Sequence, residues 1–147
     1  MREIPIKKYV RYLFGVAILL FFLNKLYFRP WIIENGSIDL LMIVTYSIPN
    51  LLEAIIGTLI FTGLLFQTRQ YFNEKISTIK DIYIHIMAVS IVGFYVISQE
   101  LTFHNIGGNN VYDPYDLIAS IIGLAGTFAI IQLFGFTDKV EIDKTLE

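Results

Sequence analysis

The chain contains no cysteine, which excludes a disulfide framework, a thiol nucleophile and a cysteine-based zinc site. It is also poor in charge. Only 16 % of its 147 residues are Asp, Glu, Lys or Arg, against ~25 % in an ordinary soluble domain. The net charge is −2 and no run of Lys or Arg occurs, so nucleic acid is not an expected partner. HExxH, GxSxG, a P-loop and a dinucleotide-binding glycine motif are all missing. An enzymatic role would therefore rest on carboxylates alone. The sequence leans against one, assigns no catalytic residue and implies neither a cofactor nor a metal.

What the chain has instead is apolar residues, 55 % of the total, and they come in blocks. Four blocks read as membrane helices: about 9–28, 49–66, 82–101 and 117–136. At ~1.5 Å per residue each spans ~27–30 Å, one hydrocarbon thickness. The expected fold is all-α: a single domain, an integral membrane protein with four transmembrane helices in an antiparallel bundle. The first block follows Arg2, Lys7 and Lys8 as a signal peptide would, but "LNKLYFRPW" offers no small-residue cleavage site, so it reads as an uncleaved span. Between the first two spans "ENGS" signals a turn. A short interfacial helix over 38–47, capped by Ser37, is expected next, ending in a break at Pro49. Residues 137–147 form a polar tail.

With four spans, nine of the eleven basic residues fall on the side of the termini; Lys25 and Arg29 alone lie on the other. The positive-inside rule then places both termini in the cytoplasm. On the opposite side stand Glu34, Asp39, Glu53, Glu100, Asp113 and Asp116, with almost no basic partners.

Two of these acids, Glu53 and Glu100, lie inside predicted spans at similar depth, where a carboxylate normally faces the bundle or a wet cavity. Helical spacing puts Asn50, Glu53 and Gly57 on one face, Ser90, Gly93, Ile97, Glu100 and His104 on another, and Asp116, Ser120, Gly123 and Thr127 on a third. The expected site is a shallow outward-facing pocket lined by Asn50, Glu53, Gln99, Glu100, His104, Asp113 and Asp116. Gly57, Gly93, Ala119, Gly123, Gly126 and Thr127 are the expected helix-packing positions. Asp113 also suits an N-cap, with Pro114 at the first helical position and Asp116 placed for a capping box. Glu100 has no such explanation, because a helix C-terminus disfavours an anion. A group of this kind suits a divalent ion held through oxygens, a cationic or hydroxyl-rich headgroup, shared protons, or an acid/base pair. No span carries enough evenly spaced polar residues to line a pore from side to side.

The stretch "SQELTFHNIGGNNVYDPYDLIASIIGLAGT" resembles the VanZ-like family of small membrane proteins. The matching positions are Glu100, Asp113, Asp116, Gly123 and Gly126. The loop lacks an Arg that family members often carry, and Ser120 stands near an expected Asn. The resemblance implies a multi-pass protein of the bacterial plasma membrane, of glycopeptide (teicoplanin) resistance type. It implies a partner at the outer leaflet, such as a lipid-linked cell-wall component or a glycopeptide. Apart from the lipid bilayer itself, the other expectations are a small oligomeric channel or transporter subunit, joined through Ala119, Gly123 and Thr127, and an accessory subunit docking a membrane partner.

Overall fold

A computed structural model describes residues 4–36, 38–72, 79–101 and 113–138. Among them every regular element is helical, apart from one isolated bridge between Ile6 and Thr137. The elements are α1 (Lys8–Leu23), a π turn (Asn24–Phe28), α2 (Arg29–Asn35), α3 (Asp39–Tyr71), α4 (Asp81–Glu100) and α5 (Pro114–Phe134). α1, the π turn and α2 make one rod, Lys8–Asn35, so four helices are long and apolar enough to cross a membrane. All four expected spans fall on these helices, the third ending at Glu100 and the fourth at Phe134, one and two residues earlier than expected. The protein is of the multi-pass α-helical membrane class.

α3 is the hub. It touches every other helix, α4 and α5 pack on it and on each other, and α1 lies along α3. α1 reaches the end of α5 through Lys7 and Tyr9. Its outer face, with Tyr12, Val16, Leu19 and Phe22 exposed, is the surface a bilayer would cover.

Lipid is as apolar as leucine, so helices in a membrane associate by close packing rather than by hydrophobic exclusion. Small residues provide that here. A Cβ on Gly123 would stand 2.5 Å from the Leu51 carbonyl oxygen and 3.0 Å from Ala54 Cβ, so only glycine admits the backbone of α3. Gly57 receives Val92, and Gly93 receives Leu124. Ala119 and Thr127 are buried within the molecule. Gly126 differs from the expectation: it is exposed and no side chain or backbone lies within 4 Å of its added Cβ position. Ser90 likewise lies off the packed face, which runs through Ile84, Ala88, Val92 and Val96. Thr58 and Thr127 bury their hydroxyls by donating to the carbonyls of Ala54 and Gly123, four residues back.

The expected break at Pro49 does not occur, nor does a separate helix over 38–47; α3 runs unbroken for 33 residues, ~50 Å. Proline has no N–H and leaves the carbonyl four residues earlier without its helical partner. That carbonyl is Thr45 O, and Asn24 Nδ2 donates to it at 2.9 Å across the helix interface. Asn24 is 2 % exposed. It opens the π turn, in which the Arg29 N–H bonds back to Asn24 O, one turn ahead of Pro30. Ile38 stands at the N-cap of α3, which begins at Asp39; Ser37, the expected cap, lies outside the described residues.

The segments flanking the first and last spans meet at one end of the molecule, here the terminal end. Lys7 N donates to Phe136 O and Asp138 N to Pro5 O. Gly135, at φ +72°, turns the chain out of α5. The carbonyls left over there accept from Lys7 Nζ (to Phe134 O, 2.6 Å) and the Tyr9 hydroxyl (to Gly135 O, 2.6 Å), a cation and a donor where the helix dipole favours them. Phe136 stacks on Phe66. At the same end Arg69 pairs with Asp81 at 2.7 Å and donates to Ile79 O, tying α3 to the start of α4.

Replacing Asn24 with Leu should lower stability by about 1–3 kcal/mol, the range for an orphaned buried acceptor. In a Pro49→Ala background, where residue 49 regains an N–H for Thr45 O, the same change should cost clearly less. Thermal unfolding in detergent of the four proteins measures both, and equal costs in the two backgrounds would refute the account. Gly123→Ala should destabilise by about 1–3 kcal/mol through overpacking, despite alanine's higher helix propensity.

Candidate functional site

At the end opposite the termini, three helices bring their acids together. α5 starts at Asp113, whose Oδ1 accepts from Tyr115 N at 2.9 Å, with Pro114 in the first helical position. The capping expected of Asp113 is therefore present. Asp116 does something else: its carboxylate faces Ser47 and Asn50 on α3 rather than closing a capping box. Neither neighbour completes a bond to it in full geometry. Asp116 Oδ1 and Ser47 Oγ are both buried without a hydrogen-bond partner among the described residues. A buried polar atom left open in this way is uncommon in native proteins.

Glu53 follows Asn50 by one turn of α3, and Glu100 ends α4. Both are partly buried. Glu100 lies within electrostatic range of Asp116, Asp113 and Glu53. The four acids thus form one cluster spread over α3, α4 and α5, and like charges at this proximity repel in a weakly polar setting. No group of three or more His, Asp or Glu among the described residues has the geometry to hold a metal ion.

Arg29 is the residue that sequence reasoning missed. Its guanidinium lies 4.1 Å from the centre of the Tyr46 ring, and its charge reaches Asp116. The acids at this end are consequently not without a basic partner. The partner comes from the first helical rod, a long way off in sequence, and the π turn sets its position. A clue was present: Lys25 and Arg29 are the two bases on a side otherwise acidic.

The remaining expected residues divide. Asn50 belongs to the cluster. Gln99 donates to the Tyr95 hydroxyl of its own helix at 2.8 Å. His104 lies outside the described residues, as does the rest of the connection between α4 and α5. Glu34 and Asp39 are exposed, and neither is among the charges that act on Glu100 or Asp116.

A second polar pair sits near the terminal end. His85, 2 % exposed, places Nδ1 2.9 Å from Gln132 Oε1, so the Nδ1–H donates to the amide oxygen. Its ring packs beside Phe66, and Nε2 has no partner among the described residues. From the sequence His85 had no visible partner; Gln132 is 47 residues away.

The chain matches no family model, no curated protein and no solved structure. Its own features make it a multi-pass helical membrane protein, with four helices long and apolar enough to cross a membrane and a polar, mainly acidic cluster at the end of the described residues opposite the Ile6–Thr137 bridge.

The lack of native cysteine makes single-thiol variants clean reporters of this arrangement. In sealed vesicles, thiols at Asp113→Cys and Asp81→Cys should be modified by a membrane-impermeant maleimide from opposite sides. Modification of both from the same side would rule out the four-span topology.

Proposed function

We propose that the protein is a VanZ-like protein of the bacterial cell envelope that binds a ligand at the outer leaflet through its acidic cluster. The observation that carries the proposal is the convergence of Glu53, Glu100 and Asp116 from three helices beside one arginine, with Asp116 Oδ1 and Ser47 Oγ open among the described residues. A carboxylate within a span costs roughly 2.5–3.5 kcal/mol at the bilayer centre and less near the interface. Packing and capping account for Asp113 but give no return for Glu53 and Glu100. Binding does.

The cluster suits a headgroup rich in hydroxyls or carrying an amine: the carboxylates accept from O–H and N⁺–H donors, and Arg29 holds a phosphate or carboxylate on the same ligand. Lipid-linked cell-wall components and glycopeptides have this chemistry. The segment from Glu100 to Gly126 that resembles the family includes three of the four acids. The excess of bases at the terminal end favours a cytoplasmic location for both termini, which turns the cluster outward. The oligomeric channel reading loses support, because Ala119, Gly123 and Thr127 are used in packing within one chain.

The test is teicoplanin susceptibility of a susceptible bacterial host, comparing wild type with the Glu53→Gln/Glu100→Gln variant at matched membrane levels. Wild type should protect and the variant should not. Equal protection by both would remove the acids from the function, and protection by neither would remove the glycopeptide reading.

A further inference from the structure

A cavity of about 530 Å³ lies at the terminal end, between α1 and α3, within the range of small-molecule sites. It is distinct from the acidic cluster. Val10 and Phe14 form one wall, Leu59 and Gly63 the other, and Phe136 packs at the end. Two polar side chains enter its lining, Arg11 from α1 and Gln67 from α3. Arg11 is followed one turn deeper by Phe14, and Gln67 is preceded one turn deeper by Gly63. The polarity therefore falls along the cavity, from the terminal end toward the middle of the span.

The missing side chain of Gly63 gives the cavity its depth: a Cβ there would stand 3.7 Å from Phe136 Cζ, with the remaining space unfilled. The mouth is basic. Arg11 Nη2 donates to Ile6 O at 3.0 Å, which holds the guanidinium at the rim, and Lys8, one helical turn before Arg11 on α1, is exposed. Lys7 caps α5 close by.

We propose that this cavity binds one anionic phospholipid from the leaflet at the terminal end, with its phosphate at Arg11 and Lys8 and an acyl chain in the apolar cleft between α1 and α3. An amphiphile with a negative head matches the cavity's gradient from base to hydrocarbon. A neutral apolar ligand would leave Arg11 and Gln67 unused, and a soluble anion would leave the cleft empty. α1 packs along α3 and not along α4 or α5, so the cleft beside it faces the bilayer and a lipid enters sideways. The proposal depends on the four-span topology but not on the acidic cluster.

Native mass spectrometry of the detergent-solubilised protein, titrated with phosphatidylglycerol or phosphatidylcholine of identical acyl chains, tests it. Wild type should retain one phosphatidylglycerol in preference to phosphatidylcholine. Arg11→Gln should weaken phosphatidylglycerol binding roughly fivefold, the ~1 kcal/mol that one basic side chain contributes near anionic lipid, and leave phosphatidylcholine unchanged. Gly63→Leu should fill the cleft and reduce retention of both lipids. Gly15→Leu, on the open outer surface of α1, should change neither. Equal retention of the two lipids by wild type, or full retention by Gly63→Leu, would overturn the proposal. If Gly63→Leu does not fold, the Arg11→Gln comparison decides.

Discussion

A single side-chain amide, Asn24 Nδ2, compensates for the backbone donor that Pro49 lacks, and much of the molecule depends on it. In an aqueous loop the freed Thr45 carbonyl would take water. In a bilayer it must find a protein donor or the helix must end. Because Asn24 supplies that donor, α3 stays one rod and carries Ser47, Asn50 and Glu53 on a single rigid element. The same bond fixes the first rod against α3. The π turn that starts at Asn24 then sets the direction in which Arg29 leaves, over Tyr46 and toward Asp116. Helix continuity and site electrostatics thus share one cause.

Around that contact the packing uses a limited set of residues. α3 brings Leu51 and Ala54 against Gly123 of α5, and Thr58, Ser120 and Thr127 are buried small polar residues of the same two helices. The hydroxyls of Thr58 and Thr127 return to their own helix carbonyls, so they can be buried among apolar neighbours at little cost. The resulting core is short on bulk and rich in close backbone approach, as expected where lipid competes for every apolar surface. The larger side chains gather toward the terminal end, where Phe66, Ile131 and Phe136 fill the space beside Val10.

The four spans were legible because membrane insertion depends on unbroken apolar length, which a sequence displays directly. The cap at Asp113 was legible for a similar reason, being local. What could not be read involved partners distant in the chain. Pro49 looked like a terminator because its compensating donor lies 25 residues earlier. Arg29 was only one of two bases on the acidic side, because its stacking on Tyr46 and its reach to Asp116 exist only once two rods are packed. His85 and Gln132 were individually unremarkable polar residues in apolar spans. Gly126 shared its residue type with Gly123 but not its face, and an i+3 step was enough to turn it toward lipid.

The meeting of the two flanking segments at the terminal end also bears on the order of assembly. Lys7 and Tyr9 emerge from the ribosome more than a hundred residues before the carbonyls of Phe134 and Gly135 that they satisfy. Until then α1 has only α3 to lean on, and the end of α5 has no cap. The first span is therefore a waiting member. It can be inserted at once, but it becomes fixed in place only when the last span arrives, so that closure of this fold doubles as a check that every span between them has been threaded.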